Sequence, residues 1–186
     1  KGAVTQQATY SVDGVNTTDM IATGGSSDYY DFGAFEEIQV STGGTDPRVQ
    51  TPGAQVNIVT KRGGRAPQST LEAAGGSFNH YRVTANTSGP VGDLDYYGSF
   101  RLDRESGFRD DSDGRVTQAT GRVGFRPSQA TDLSVSYSYV NDHLEQAGTL
   151  PLPVLEQNRE ANISPVDFYA NELSTFTFQG RQKLPW

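Results

Sequence analysis

The chain has 186 residues, a net charge of −7, 21 Gly, 9 Pro, 9 Tyr, 9 Phe, 1 Trp and no Cys, with 34% of residues hydrophobic. Disulfides and Cys-based metal centres are thereby excluded, and the negative balance argues against nucleic acid, whose phosphates need clustered Lys and Arg. No run of about 18 apolar residues exists to form a membrane helix, but a barrel strand needs only about 10 alternating residues, so the negative mean hydropathy leaves a β-barrel open.

The apolar share is low for a compact domain, yet the aromatic content argues against disorder. The first residues, K-G-A-V-T-Q-Q, lack the apolar stretch of a secretory leader, so a leader is expected to have been cleaved or to lie upstream. Residues 1–64 are rich in Gly, Thr and Asp and read as a small, loop-rich α+β piece. Its candidate strands are Ala8 to Val12, Ile38 to Ser41 and Ala54 to Thr60, separated by loops such as Thr23 to Asp28. The stretch K-R-G-G-R, Lys61 to Arg65, followed by Ala66 and Pro67, reads as a linker, because paired glycines and a proline break both helical and strand periodicity.

Beyond the linker, apolar and polar residues alternate with the period of two that marks a strand with two different faces. Ser69 to Gly76 sets Leu71, Ala73 and Gly75 on one face. Tyr81 to Ser88 opposes Tyr81, Val83 and Ala85 to Arg82, Thr84 and Asn86. In Leu94 to Arg104, Tyr96, Gly98, Phe100 and Leu102 oppose Asp95, Tyr97, Ser99, Arg101 and Asp103. Thr117 to Arg126 opposes Ala119, Gly121, Val123 and Phe125 to Gln118, Thr120, Arg122 and Arg126. Thr131 to Val140 carries Leu133, Val135, Tyr137 and Tyr139 against Ser134, Ser136 and Ser138. Leu173 to Leu184 opposes Phe176 and Phe178 to Thr175, Thr177, Gln179 and Arg181.

The connections between these six strands alternate in length. Gly89 to Asp93 and Pro127 to Ala130 are tight, whereas about a dozen residues after Arg104 and about thirty between Asn141 and Ala170 form long loops. Tight turns thus fall on one rim and long loops on the other, as in outer-membrane barrels; the short S-F-N-H connection on the long-loop rim is the exception. A soluble antiparallel sandwich shares the same alternation. Charges of both signs on the polar faces favour the barrel, because they suit a hydrated lumen.

Three stretches then resemble the second half of the plug domain of TonB-dependent outer-membrane receptors. They are Y-S-V-D-G-V (Tyr10 to Val15), F-E-E-I-Q-V-S-T-G-G (Phe35 to Gly44) and T-P-G-A-Q-V-N-I-V-T-K (Thr51 to Lys61). L-E-A-A-G-G-S-F-N-H-Y-R, S-G-F-R-D-D-S-D and R-P-S-Q-A-T-D-L-S-V-S-Y-S-Y resemble the first barrel strands that follow it. The likeness runs from about Tyr10 to Lys183. S-T-G-G-T-D-P replaces the family's usual R-G-P, and Ala54-Gln55 replaces its paired glycine, a variant closer to Oar-like receptors.

The resemblance implies residues 1–64 as the C-terminal part of a plug and residues 65–186 as the N-terminal strands of an incomplete transmembrane barrel of about 22 strands. It implies an importer in the cell outer membrane, not an enzyme, that takes up a siderophore, vitamin, peptide or glycan by plug remodelling. Its partners would be outer-membrane lipid and a TonB-type energy-coupling protein, through a segment not recognisable in residues 1–10, and no cofactor is implied. A non-transporting Oar-like surface or adhesion protein is the alternative. A six-stranded arc leaves two unpaired edges, so the chain is expected to be part of a longer polypeptide.

No catalytic or metal site is expected. His80 and His143 fall in different connections and read as solvated loop residues. The D-D-S-D-G run, Asp110 to Gly114, fails as a calcium loop, because Arg109 and Thr120 land on its first and twelfth positions. The Gly-rich stretch from Thr23 to Ser26 lacks the Lys-Ser/Thr sequel of a phosphate loop. For ligand binding, aromatics beside polar groups single out Tyr29, Tyr30, Phe32, Phe108, Arg109 and Arg115. Arg48, Arg62, Arg65, Arg82, Arg101, Arg122 and Arg126 are expected to join plug to wall, since Arg pairs bidentately with carboxylates in hydrated interfaces.

Overall fold

The computed structural model describes residues 8–18, 31–42 and 53–184. Among these, the first sheet comprises β1 (Thr9–Val12), β2 (Val15–Asn16), β3 (Phe35–Thr42) and β4 (Ala54–Thr60), in the order β2-β1-β4-β3. β1 and β2 form a hairpin whose two-residue loop is Asp13-Gly14, with φ of 50° and 81°. Positive φ at both positions is what a type I′ turn requires, and Asp-Gly is a preferred pair for it. V-D-G-V is therefore a hairpin tip, not continuous strand. β1 runs parallel to β4, and β3 runs antiparallel to β4 on its other side. A single turn of 3-10 helix, Phe32–Ala34, leads into β3 and is capped by the Asp31 side chain, which accepts from the Gly33 N–H at 3.0 Å.

Residues 61–67 then lead to a six-stranded meander: β5 (Gln68–Gly75), β6 (Tyr81–Val91), β7 (Leu94–Glu105), β8 (Gly114–Phe125), β9 (Thr131–Glu145) and β10 (Phe168–Gln182). Every neighbour is antiparallel and the spatial order follows the chain. The mostly-β class read from the alternation is the one observed.

Register converts the alternation into rows across the sheet. One face carries Gly89, Tyr96, Val123, Val135 and Phe178 side by side, and next to them Thr87, Gly98, Gly121, Tyr137 and Phe176. The other carries Ser88, Tyr97, Arg122, Ser136 and Thr177, then Asn86, Ser99, Thr120, Ser138 and Thr175. The first sheet lies against this polar face across β7 to β10, so the apolar face points away from it. Phe176 and Phe178 are 75% and 71% exposed, which no ordinary core would leave.

Two boundaries differ from the sequence reading. β9 and β10 run to 15 residues each, because backbone pairing continues through Asn141–Glu145 and Phe168–Glu172 after the apolar alternation ends. The connection shrinks to residues 146–167 and holds a short helix, α1 (Leu152–Gln157), with proline in its first turn, where the missing N–H costs nothing. His143, expected in a loop, consequently lies within β9 and stacks on Phe168 at 5.0 Å.

A Cβ at Gly14 would meet nothing within 4 Å, so only its φ of +81° demands glycine. Gly14→Ala should destabilise the protein by about 1 kcal/mol, and Gly14→Asn by less, since Asn tolerates left-handed backbone. Denaturant midpoints of the two variants provide the check; equal cost would refute the backbone argument.

Candidate functional site

Where the first sheet meets the second, the buried groups are mostly polar. Among the described residues five apolar residues are buried against eleven polar or charged ones, so the interface is held by directional bonds more than by area. Such a contact must satisfy each buried group individually.

The hairpin tip makes the deepest of these contacts. The Asp13 carboxylate accepts from the Thr60 N–H at 3.0 Å and its hydroxyl at 2.6 Å, and faces Arg122 Nη1 at 3.3 Å. Arg122, from the middle of β8, also donates to the Thr60 hydroxyl at 2.7 Å, to Ser134 at 3.1 Å and to Gln179 at 2.9 Å. Gln179 in turn donates to the Asp13 carbonyl. With side-chain exposures of 6% and 3%, this pair is removed from water, and neither charge is tolerable there without the other.

A second node sits at the tight-turn rim. Arg62 bonds Asp95 with Nε and Nη2, at 3.1 and 2.8 Å, and both oxygens of Asp132 with Nη1, at 2.7 and 2.9 Å. Arg126 adds a bond to Asp95 at 2.8 Å, so two guanidinium groups balance two carboxylates. Burial disfavours the charge on Arg62, but its bonds and attraction to Asp95 and Asp132 outweigh this and hold its pKa above the ordinary value. The guanidinium crosses β8 above Gly124, where a Cβ would clash with Arg62 Nη2 and lie 2.5 Å from Asp95 Oδ2. Gly63 likewise lies against the Gly89 carbonyl and the Tyr96 amide nitrogen, with no room for a side chain. The K-R-G-G-R stretch is thus a clasp, and Gly63 permits the close approach.

At β7, Ser99 donates to Asp31 at 2.8 Å, Tyr97 donates to the Gly33 carbonyl at 3.3 Å, and Arg101 Nη1 approaches Asp31 at 4.0 Å. Further along, Asp103 gathers Arg82 at 2.7 Å, Arg101 at 2.8 Å and His80 at 3.0 Å. His80 is therefore held by a carboxylate. Between the sheets a cavity of about 50 Å³ is lined by Thr60, Thr120, Ser136, Ser138, Thr175 and Thr177 together with the apolar Val12, Phe35, Val140 and Leu173.

The sequence candidates distribute unevenly over this geometry. Arg122 and Arg101 reach the first sheet; Arg82 and Arg126 pair within the second, the latter sharing Asp95 with Arg62. Tyr29, Tyr30 and Arg48 lie outside the described residues. Phe32 is exposed and meets Phe35 edge-on at 5.7 Å, and Phe108 meets Phe78 the same way at 5.7 Å. Arg109 donates to the carbonyls of Ala147, Gly148 and Ala161, tying the 106–113 loop to the 146–167 loop. Arg115 is exposed on the face turned away from the first sheet. These four do not converge on one site. No group of His, Cys, Asp and Glu able to hold a metal occurs among the described residues. Sequence reasoning missed Asp13, Asp31, Asp132 and Gln179; the Asp-Gly pair was the available signal for the first of them.

No family model matches the chain. Over 94 residues it is 31% identical to the metal-pseudopaline receptor CntO of Pseudomonas aeruginosa, which covers 49% of this chain and 13% of that protein. Over 87 residues it is 34% identical to the ferric-pyoverdine 358 receptor of Pseudomonas putida, covering 45% and 11%. The structure of the ferric citrate transporter FecA in the unliganded form superposes with a TM-score of 0.72 at 18% identity, over 94% of this chain and 28% of that one. The chain thus spans a small fraction of the relatives it matches.

Arg122→Leu should weaken the junction between the sheets by about 3–5 kcal/mol, because Asp13 is left buried and unpaired. Adding Asp13→Ala should recover part of the loss. The measurement is unfolding followed by a probe on Val40→Cys, an exposed site in a chain free of native Cys; additive losses would show that the two groups are not coupled. Gly124→Ala should mimic Arg62→Ala, with the double variant no worse than either single one.

Proposed function

Since this chain belongs to the TonB-dependent outer-membrane receptors, we propose that the first sheet is the C-terminal part of a plug and that β5 to β10 are the first strands of a barrel wall around it. The protein carrying the chain then imports a scarce extracellular ligand. The relatives are named as receptors of metal chelates, which favours a siderophore or similar metal complex over a vitamin, peptide or glycan.

The observation that carries this reading is the contact between plug and wall, whose buried groups are mostly polar. A hydrophobic core resists sliding because separation exposes apolar surface. A contact made of hydrogen bonds and ion pairs can exchange its partners for water one at a time. The Arg122 and Arg62 nodes would hold the resting plug, and a pull from an energy-coupling partner at the inner membrane would have to break them. The Arg109 bridge between the two long loops would shape the outer vestibule where ligand arrives.

Linking plug to wall tests this. Asp31→Cys and Ser99→Cys, joined by a short reducible bis-thiol reagent, should leave binding of a radio-iron-loaded siderophore intact and stop its uptake by cells, with reductant restoring it. Unchanged uptake through the linked protein would refute plug remodelling. Placing the outer face in lipid also predicts that Phe176→Arg, near mid-wall, destabilises the membrane-inserted protein by roughly 2–4 kcal/mol, whereas Phe176→Leu is nearly neutral; folding titrations in bilayers distinguish them.

A further inference from the structure

Near the long-loop rim, the outward face of the wall changes character. Leu94 lies at the tight-turn end of β7 and Arg104 ten residues further along the same face. At about 3.4 Å per residue and a strand tilt of about 40°, that is a rise of about 26 Å, close to the height of about 25 Å of an outer-membrane apolar band. Within the band the outward residues of β7 are Leu94, Tyr96, Gly98, Phe100 and Leu102; directly above them stands Arg104.

Cross-strand register sets Arg104 opposite Arg115, and Arg115 opposite His143 on its other side, with Tyr81 closing the row on β6. Both arginines are exposed, and among the described residues neither has a carboxylate within ion-pair distance. Like charges directly opposite one another on adjacent strands repel. The other arginines of β7 and β8, Arg101 and Arg122, face the opposite side and are paired. The row borders a groove of about 480 Å³ whose upper edge carries Glu105, Asp113 and Glu145. Glu145 is engaged there by the Asp113 N–H at 3.0 Å.

We propose that Arg104, Arg115 and His143 seat the phosphate of a lipid headgroup in the outer leaflet, with Tyr81 at the interface and the acyl chains against Val83, Leu102 and Phe100 below. Guanidinium groups supply bidentate donors that match phosphate oxygens, and the anion relieves the repulsion across the row. A soluble ligand on its way through the barrel would not meet this face. The inference rests on the placement of the outer face in lipid. It adds a lipid-recognition site apart from the contact between plug and wall.

The test uses the intact receptor carrying this chain, purified in mild detergent and offered lipid A bearing two phosphates or the same lipid stripped of them. Native mass spectrometry reads what stays bound. Wild type should retain the phosphorylated lipid and lose the stripped one. Arg104→Gln/Arg115→Gln should lower retention at least fivefold, Arg115→Gln alone about threefold, and Arg159→Gln, at an exposed loop position, should match wild type. Arg104→Lys/Arg115→Lys should keep most of it. Heat-dependent gel mobility reports insertion and folding separately, so a variant that folds but sheds lipid leaves the placement of the wall intact. Equal retention by the double Gln variant, no preference for phosphate, or displacement of the lipid by millimolar inorganic phosphate would each overturn the proposal.

Discussion

A guanidinium held at 6% exposure between two sheets constrains everything around it. Arg122 cannot remain charged there unless oxygen atoms surround it, and Asp13, Thr60, Ser134 and Gln179 supply them from four separate stretches of chain. Asp13 can reach it only from the tip of a tight hairpin, which the positive φ values at Asp13 and Gly14 make possible. β4 must then run where Thr60 completes the ring. The position of the first sheet on the second follows from this one charge.

The same economy holds at the rim. Arg62 joins Asp95 on β7 to Asp132 on β9, spanning β8, and it can do so because Gly124 has no side chain to block the path. A strand glycine that weakens the sheet locally thereby admits the clasp. Beyond the Arg122 node, toward the long-loop rim, lies a small cavity lined by hydroxyl and apolar side chains, so the contact combines specific anchors with a looser stretch. That combination is what the proposed plug remodelling requires.

Alternation made the six-stranded sheet legible, because register in a two-faced strand leaves little freedom: a slip by one residue would turn Phe176 and Phe178 toward the first sheet and Thr177 away from it. The N-terminal strands were legible through short segments bounded by glycine and aspartate. The ends of β9 and β10 were not, because polar residues interrupt the apolar alternation in Asn141–Glu145 and Phe168–Glu172 while backbone pairing continues. Helix α1 was hidden for a related reason: six residues carry too little periodicity to register. The site was legible only by residue type. Arginines were recognisable as partners for carboxylates, but which carboxylate each one meets depends on strands up to 109 positions apart.

By itself the sequence determined the class of fold, the two faces of each strand and the polarity of the inner one, since these depend on neighbours two residues apart. Tertiary structure decided the rest. Only the stacking of two sheets could tell that Arg122 is buried and paired while Arg115, seven residues earlier on the same strand, is exposed and unpaired among the described residues. An odd spacing puts the two side chains on opposite faces of one strand, but which face meets the first sheet and which turns away is settled by where that sheet comes to rest.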